Sequence, residues 1–145
     1  MLNVMYHYVR PKNIDYPYFK YCTLENFRRQ LDYFGKNFGF LSFEDYKNTI
    51  KYNRNSTGVV LSFDDGLKDH FQYVLPELRK RGLWGLFYVN TGTFGLSKLL
   101  GVHRVHFLKG KYSSQFILEK VLKRTNDKMI DKRYLSLFKN ETYVN

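Results

Sequence analysis

The amino-acid sequence predicts an α/β fold, with about three parallel strands and flanking helices followed by an all-helical segment. Residues 1–95 carry patterns in the order strand, helix, helix, strand, helix, strand, which is typical of parallel strands joined by helical crossovers. The apolar run Val59–Phe63 indicates a strand that is covered on both faces, as in parallel sheets. No strand pattern follows Val89, so residues 96–145 are predicted to be helical.

Clear signals bound the first strand and the first helix. Residues 2–9 are predicted as a strand that Pro11 ends, because proline cannot donate a hydrogen bond to a central ladder. Thr23 is predicted to cap a helix, since a threonine side chain satisfies a free amide at a helix start. The apolar face of that helix contains Leu24, Phe27, Leu31 and Phe34.

The remaining elements of the first segment surround the apolar strand. Ser42 is predicted to begin a second helix with Asp45 at its third position. The apolar side of this helix contains Phe43, Tyr46 and Ile50. A longer helix is predicted over residues 67–81, where Pro76 marks either a kink or a first turn. Its inward positions are Phe71, Val74, Leu75 and Leu78, and a third strand is predicted over residues 83–89.

The second segment contains three predicted helices, over residues 97–109, 113–123 and 127–138. It is also the basic part of the chain, since residues 97–145 hold 11 basic and 4 acidic residues, a balance of +7 out of a total of +11. A basic surface is suited to nucleic acid, acidic lipid or an anionic glycan. A lysine-rich, solvated helical face is the favoured interpretation, because the many Asn, Lys and Tyr residues fit the compositional bias of an AT-rich proteome.

Composition bounds the class of protein. The length of 145 residues and a hydrophobic content of 43% fit one domain with a packed core. No apolar run approaches the roughly 20 residues that a membrane span requires. The single cysteine, Cys22, and the absence of a signal-peptide pattern favour a reducing, cytoplasmic location.

The most informative motif is Ser62-Phe63-Asp64-Asp65-Gly66, directly after the apolar strand. Two adjacent carboxylates at a strand end lie where a metal or a substrate can reach them. Gly66 supplies the turn, since glycine tolerates positive φ. The alternative is an ordinary Asp-rich turn followed by a helix.

The chain resembles the N-terminal portion of the polysaccharide deacetylases, the NodB-homology enzymes of carbohydrate esterase family four. The resemblance covers about residues 2–94 and rests on residues 59–66, 74–78 and 82–89, with residues 5–9 similar to the family's first strand. It implies a partial, distorted (β/α) barrel with its active site at the C-terminal ends of the strands. Residues 96–145 resemble a helical insertion found in some relatives.

The resemblance also implies roles for individual residues. Asp64 matches the general base, and Asp65 matches a ligand of a divalent metal, usually zinc. The implied reaction removes N-acetyl groups from amino sugars of a glycan. The resemblance makes His7 a candidate substrate contact, and the loop after the third predicted strand supplies Thr91 and Thr93 as further candidates. The alternatives are a strand histidine bonded to backbone and threonines that only form a turn.

The family's two histidine ligands come from a His-(Ser/Thr)-x-x-His segment, which this sequence lacks. In His103-Arg104-Val105-His106 the histidines are three apart, a spacing that puts both on one helix face and makes them alternative ligands. The apolar neighbours favour a packed helix instead. His70 is interpreted as a core or surface residue.

These departures lead to three hypotheses. The first is that the chain is an incomplete deacetylase, whose partner is the missing C-terminal half of the barrel. By itself the chain is then expected to bind zinc weakly or not at all. A second hypothesis is a pseudoenzyme that assembles with a partner. The third is a non-catalytic basic module that binds an anionic glycan or nucleic acid through residues 97–139.

Overall fold

The computed structural model describes residues 1–93 and 99–125 of the chain. The helix predicted over residues 127–138 lies outside the described residues. In chain order the strands and α-helices are β1 (Leu2–Tyr6), β2 (Val9–Arg10), β3 (Cys22–Thr23), α1 (Leu24–Asn37), α2 (Phe43–Tyr52), β4 (Val59–Phe63), α3 (Leu75–Lys80), β5 (Leu86–Phe87), α4 (Gly101–Lys111) and α5 (Ser114–Leu122).

A parallel sheet of three strands carries the core, in the order β1-β4-β5. The register pairs Leu2 with Val59 and Tyr6 with Phe63. Strand β4 lies at the centre, and four of its five residues are buried, which confirms the prediction of a covered strand. The predicted α/β class with a small parallel sheet is therefore confirmed.

The first strand is shorter than predicted. β1 ends at Tyr6, whose carbonyl oxygen accepts from the Asp64 amide at 2.9 Å. Beyond this bond the chain of β4 turns away, so His7 and Tyr8 have no partner in the main sheet. Residues Val9–Arg10 instead pair with Cys22–Thr23 in a second, two-stranded parallel sheet.

Both predicted helix caps are present. The Thr23 hydroxyl oxygen accepts from the Asn26 amide at 3.1 Å, and the Ser42 hydroxyl oxygen accepts from the Asp45 amide at 3.0 Å. On α1, Phe27 and Leu31 are fully buried in the core, as predicted. On α2, the rings of Phe43 and Tyr46 pack on Trp84, whereas Ile50 is 60% exposed, so its predicted inward position is wrong.

The predicted helix over residues 67–81 contains a widened turn. Residues His70–Val74 form a π-helical turn that is closed by the Leu75 amide donating to the His70 carbonyl, and α3 follows it. Pro76 lacks the amide that a regular α-helix needs here, which accounts for the local widening. Val74 and Leu78 are buried as predicted. The prediction for Phe71 is wrong, because the altered turn leaves this ring 76% exposed.

The third strand is shorter than residues 83–89. Only Leu86–Phe87 pairs with β4, at Ser62 and Phe63. The Leu83 amide instead closes the end of α3 by donating to the Leu78 carbonyl at 2.9 Å. At Gly85 an added Cβ would lie 2.8 Å from the Phe63 ring, so only glycine allows this close approach.

Two helices follow in the described part of residues 96–145. α4 begins at Gly101, after the non-helical Leu99 and Leu100, whereas positions 97 and 98 of the predicted helix lie outside the described residues. α5 begins after Ser113, whose hydroxyl oxygen accepts from the Phe116 amide at 3.3 Å. The predicted division at residue 95 stays a prediction. No helix among the described residues is long and apolar enough to cross a membrane.

Candidate active site at the tip of the central strand

Two partly buried carboxylates lie where β4 ends. Asp65 adopts a left-handed conformation with φ 75°, and Gly66 follows with φ 59°, so the chain reverses within two residues. At Gly66 a Cβ would lie 3.1 Å from the Val89 side chain, which ties this turn to the loop after β5. The turn therefore presents both aspartates at the C-terminal edge of the sheet.

The Asp65 carboxylate lies between two imidazoles. Its Oδ2 atom is 3.7 Å from Nε2 of His7 and 3.7 Å from Nε2 of His103. His7 comes from the segment after β1. His103 comes from α4, which follows β5 in the sequence, and its imidazole lies against the strand tip. The His103 side chain is only 6% exposed, against 26% for Asp65 and 43% for His7.

Tyr8 holds the two histidines of α4. Its hydroxyl lies 2.5 Å from Nδ1 of His103 and 3.4 Å from Nδ1 of His106. Burial raises the pKa of Tyr8 above its usual range, and nearby Arg10 partly opposes this, so the phenol stays protonated near neutral pH. With the Nδ1 atom of His103 engaged by Tyr8, its Nε2 atom is directed towards Asp65.

A second set of contacts anchors the same segment. Arg10 pairs with Asp69 at 2.7 Å and lies over the rings of Tyr8, Phe19 and Phe107 at 5.0 to 5.8 Å. Because Phe107 belongs to α4, this stack connects α4 to β2 and to the helix after β4. Sequence reasoning missed both Tyr8 and Arg10. Their position beside His7 was visible, but their partners are distant in sequence.

His70 supports the backbone of the site. It is 4% exposed, and its Nε2–H donates to the His7 carbonyl oxygen at 2.7 Å. Its ring packs beside those of Phe63 and Phe87. Burial lowers the pKa of His70 below 6.5, although the bond to His7 and the nearby carboxylates oppose the shift. The imidazole is therefore neutral in the folded chain.

The lowered pKa of His70 predicts a loss of stability in weak acid. Below about pH 6.5 the unfolded chain binds a proton at this residue that the folded chain does not, so the free energy of unfolding falls as pH falls. We expect His70→Gln to flatten this dependence by at most about 1.4 kcal/mol per pH unit. Urea unfolding between pH 7.5 and 5 measures it, and equal slopes for the variant and wild type would contradict the prediction.

Asp64 is the unpaired carboxylate of the site. Its backbone amide is bonded to β1, but its side chain has no hydrogen bond or ion pair within the described ranges. A partly exposed carboxylate without a partner is free to accept a proton from water or from a substrate. Thr91 lies in an exposed turn, Thr91–Thr93, after β5, and makes no side-chain hydrogen bond to these residues. The Thr93 side chain lies outside the described part.

The donors around Asp65 fit a divalent metal in kind. One carboxylate and two imidazoles form a donor set of the catalytic zinc type, and Nε2 of His103 is buried without a hydrogen-bond partner. The side chains do not close into a centre, since no group of three or more His, Cys, Asp or Glu within residues 1–93 and 99–125 is arranged to hold a metal. The gaps of 3.7 Å exceed the about 3.3 Å that separates two ligands of a tetrahedral zinc.

A cavity of about 720 Å³ opens beside His7. It lies between the loop that precedes β3 and the outer half of α4. His106 lines this cavity and, unlike His103, forms no ion pair with Asp65 within residues 1–93 and 99–125, although the Tyr8 hydroxyl contacts both imidazoles. The described residues that line the cavity are His7, Tyr8, Pro17, Tyr18, Phe19, Lys20, His106, Lys109, Gly110 and Ser114.

Comparison with solved structures finds a similarity to IcaB from Ammonifex degensii, with a TM-score of 0.52 and 25% sequence identity. The match covers 63% of this chain and 39% of that chain, so this chain spans about two fifths of the structure that it matches. No family model and no curated protein matches the sequence. The likeness supports a deacetylase-like fold, as the resemblance of the sequence implies.

Proposed function

We propose that the chain is a metal-dependent hydrolase of the deacetylase type that removes N-acetyl groups from amino sugars of a glycan. The observation that carries the proposal is the pair at the tip of β4. The Asp65 carboxylate has imidazoles on two sides at 3.7 Å, next to an Asp64 carboxylate without a side-chain partner in the described ranges. The similarity to IcaB supports the fold in which such a strand tip is expected to be the reaction site.

The residues that would hold a divalent cation are Asp65, His7 and His103, and their nitrogen and carboxylate donors are ligands that zinc prefers. A cation bound there supplies Lewis-acid polarisation of the acetamide carbonyl and a more acidic water. Binding requires each of the two Nε2 atoms to move closer to Oδ2 of Asp65, from 3.7 Å to the about 3.3 Å that separates two ligands of a tetrahedral zinc. We propose zinc rather than magnesium, because magnesium favours oxygen ligands.

Asp64 is proposed as the general base. It accepts a proton as a water oxygen forms a bond to the acetamide carbon, and it returns that proton to nitrogen as the carbon–nitrogen bond breaks. The products are acetate and a free amino group on the sugar. Tyr8 is a positioning residue, since its hydroxyl holds the imidazole of His103 at 2.5 Å.

The experiment that tests the proposal is an assay of acetate released from an N-acetylated amino-sugar oligomer, with and without added zinc. Free amine on the oligomer is measured in the same samples, because hydrolysis yields the two products in equal amounts. Release of acetate that depends on zinc supports the proposal. If no acetate is released at enzyme concentrations at which the oligomer is bound, the proposal is overturned.

A further inference from the structure

The cavity lies next to the strand tip, and His7 stands between them, because neither Asp64 nor Asp65 lines the cavity. His7 lines the cavity, and its Nε2 atom is 3.7 Å from Oδ2 of Asp65. A ligand in the cavity that extends past the His7 imidazole therefore approaches the two aspartates. The volume of about 720 Å³ falls within the range of about 300–1,000 Å³ that is usual for ligand pockets. It is large enough for more than a single acetamide group.

The charged groups of the cavity are basic. Lys20 comes from the loop before β3. Lys109 comes from the last turn of α4, and His106 lies on the same helix. None of the described residues that line the cavity is acidic. Within residues 1–93 and 99–125, neither lysine forms an ion pair with a carboxylate. Two ammonium groups on one cavity favour an anionic ligand.

The loop that carries Lys20 is also suited to contact a sugar ring. Pro17, Tyr18 and Phe19 line the cavity, and Tyr18 is 53% exposed, so an aromatic face is open to a ligand. The loop that carries these residues is fixed to α4, because the Tyr18 amide donates to the Gly110 carbonyl at 3.0 Å. The loop, which carries the aromatic residues and Lys20, is therefore fixed against the helix that carries Lys109.

We propose that the substrate is a glycan with an anionic group, a phosphate or a carboxylate, on the N-acetylated sugar or on the sugar next to it. This inference rests on the proposed function. Lys20 and Lys109 bind the anionic group in the cavity, Tyr18 contacts the ring that carries it, and the neighbouring acetamide reaches Asp64 and Asp65. The basic cavity thus selects the class of glycan, whereas the aspartates carry out the reaction.

Calorimetric titration of three N-acetylated ligands tests the proposal: diacetylchitobiose, which is neutral, N-acetylglucosamine 6-phosphate, and the disaccharide of glucuronate and N-acetylglucosamine. We expect at least one anionic ligand to bind more tightly than diacetylchitobiose. Lys20→Gln and Lys109→Gln should each weaken that ligand about two- to fivefold, as for solvent-exposed ion pairs, without changing the neutral one. The difference between the phosphate and the carboxylate identifies the source of the charge.

Lys36→Gln is the matched control, because Lys36 is an exposed lysine in the last turn of α1 and does not line the cavity. Equal affinities for the neutral and the anionic ligands would overturn the proposal. So would a loss of affinity for the anionic ligand in Lys36→Gln as large as that in the two cavity variants. The titrations are independent of turnover. If the anionic ligands bind through the lysines but no acetate is released, only the proposed function is overturned. If the neutral glycan is hydrolysed and the lysine variants do not change that rate, only the proposal of an anionic substrate is overturned.

Discussion

Replacement of Asp64 by Asn is expected to lower the rate of acetate release by about 10²–10⁴-fold, the usual contribution of a general base. The variant keeps the size and the hydrogen-bonding shape of the side chain but cannot accept the proton from water. Its backbone bond to Tyr6 at 2.9 Å is unaffected, so the turn at the end of β4 should persist. The measurement is acetate release under zinc saturation, with the free energy of unfolding determined in parallel.

Asp15→Asn is the matched control for this variant. Asp15 lies in an exposed loop before β3, and its carboxylate forms no ion pair in the described part of the chain. We expect the control to release acetate at the wild-type rate. Retention of more than a tenth of the wild-type rate by Asp64→Asn would remove Asp64 from the role of base.

Truncation of Phe63 to Ala is expected to destabilise the fold by about 3–5 kcal/mol, the usual cost of removing a buried phenylalanine. The side chain is fully buried at the end of β4. It stacks on Tyr6 and Phe87 with ring centroids 5.6 and 4.9 Å apart, and it contacts Phe27 edge-on. The cavity that remains lies directly under the turn that carries the two aspartates.

Phe71→Ala provides the comparison for that measurement, because the Phe71 ring is 76% exposed. Exposed substitutions of this kind usually change stability by less than about 0.5 kcal/mol. The midpoints of urea unfolding of the two variants measure the difference. Equal destabilisation by both substitutions would show that the core is not centred on β4.

The sequence predicts those parts of the fold that depend on local chemistry. Thr23 and Ser42 cap their helices as expected, because each cap needs only a side-chain oxygen and an amide three residues later. Phe71 was predicted inward from helical spacing. The spacing failed because a π-helical turn before Pro76 changes which residues share a face.

Strand lengths depend on pairing partners and could not be predicted from one segment. β1 ends at Tyr6, which pairs with Phe63, because the chain of β4 turns at Asp65. These paired residues lie more than fifty positions apart in the sequence. β5 is restricted to Leu86–Phe87 because the Leu83 amide is bonded to α3. Both limits arise from contacts that become visible only when the chain is folded.

The candidate site was accessible to sequence reasoning only in part. The Asp64-Asp65 pair follows from a motif at a strand end. The spacing of His103 and His106 suggested that both histidines act together, whereas the structure directs His103 to Asp65 and His106 to the cavity. The two imidazoles share the Tyr8 hydroxyl as a partner of their Nδ1 atoms, a contact that the sequence spacing does not reveal.

The imidazole nitrogens offer the most direct measurement of the proposed site, since the chain contains 4 histidines that can be assigned one by one. Nitrogen-15 spectra are recorded during a zinc titration of the wild type and of Asp65→Asn. The account predicts that the Nε2 signals of His7 and His103 shift together, that the signal of His70 does not move, and that the shifts are lost in the variant. Zinc-dependent shifts that leave His7 and His103 unchanged, or that persist without the Asp65 carboxylate, would contradict it.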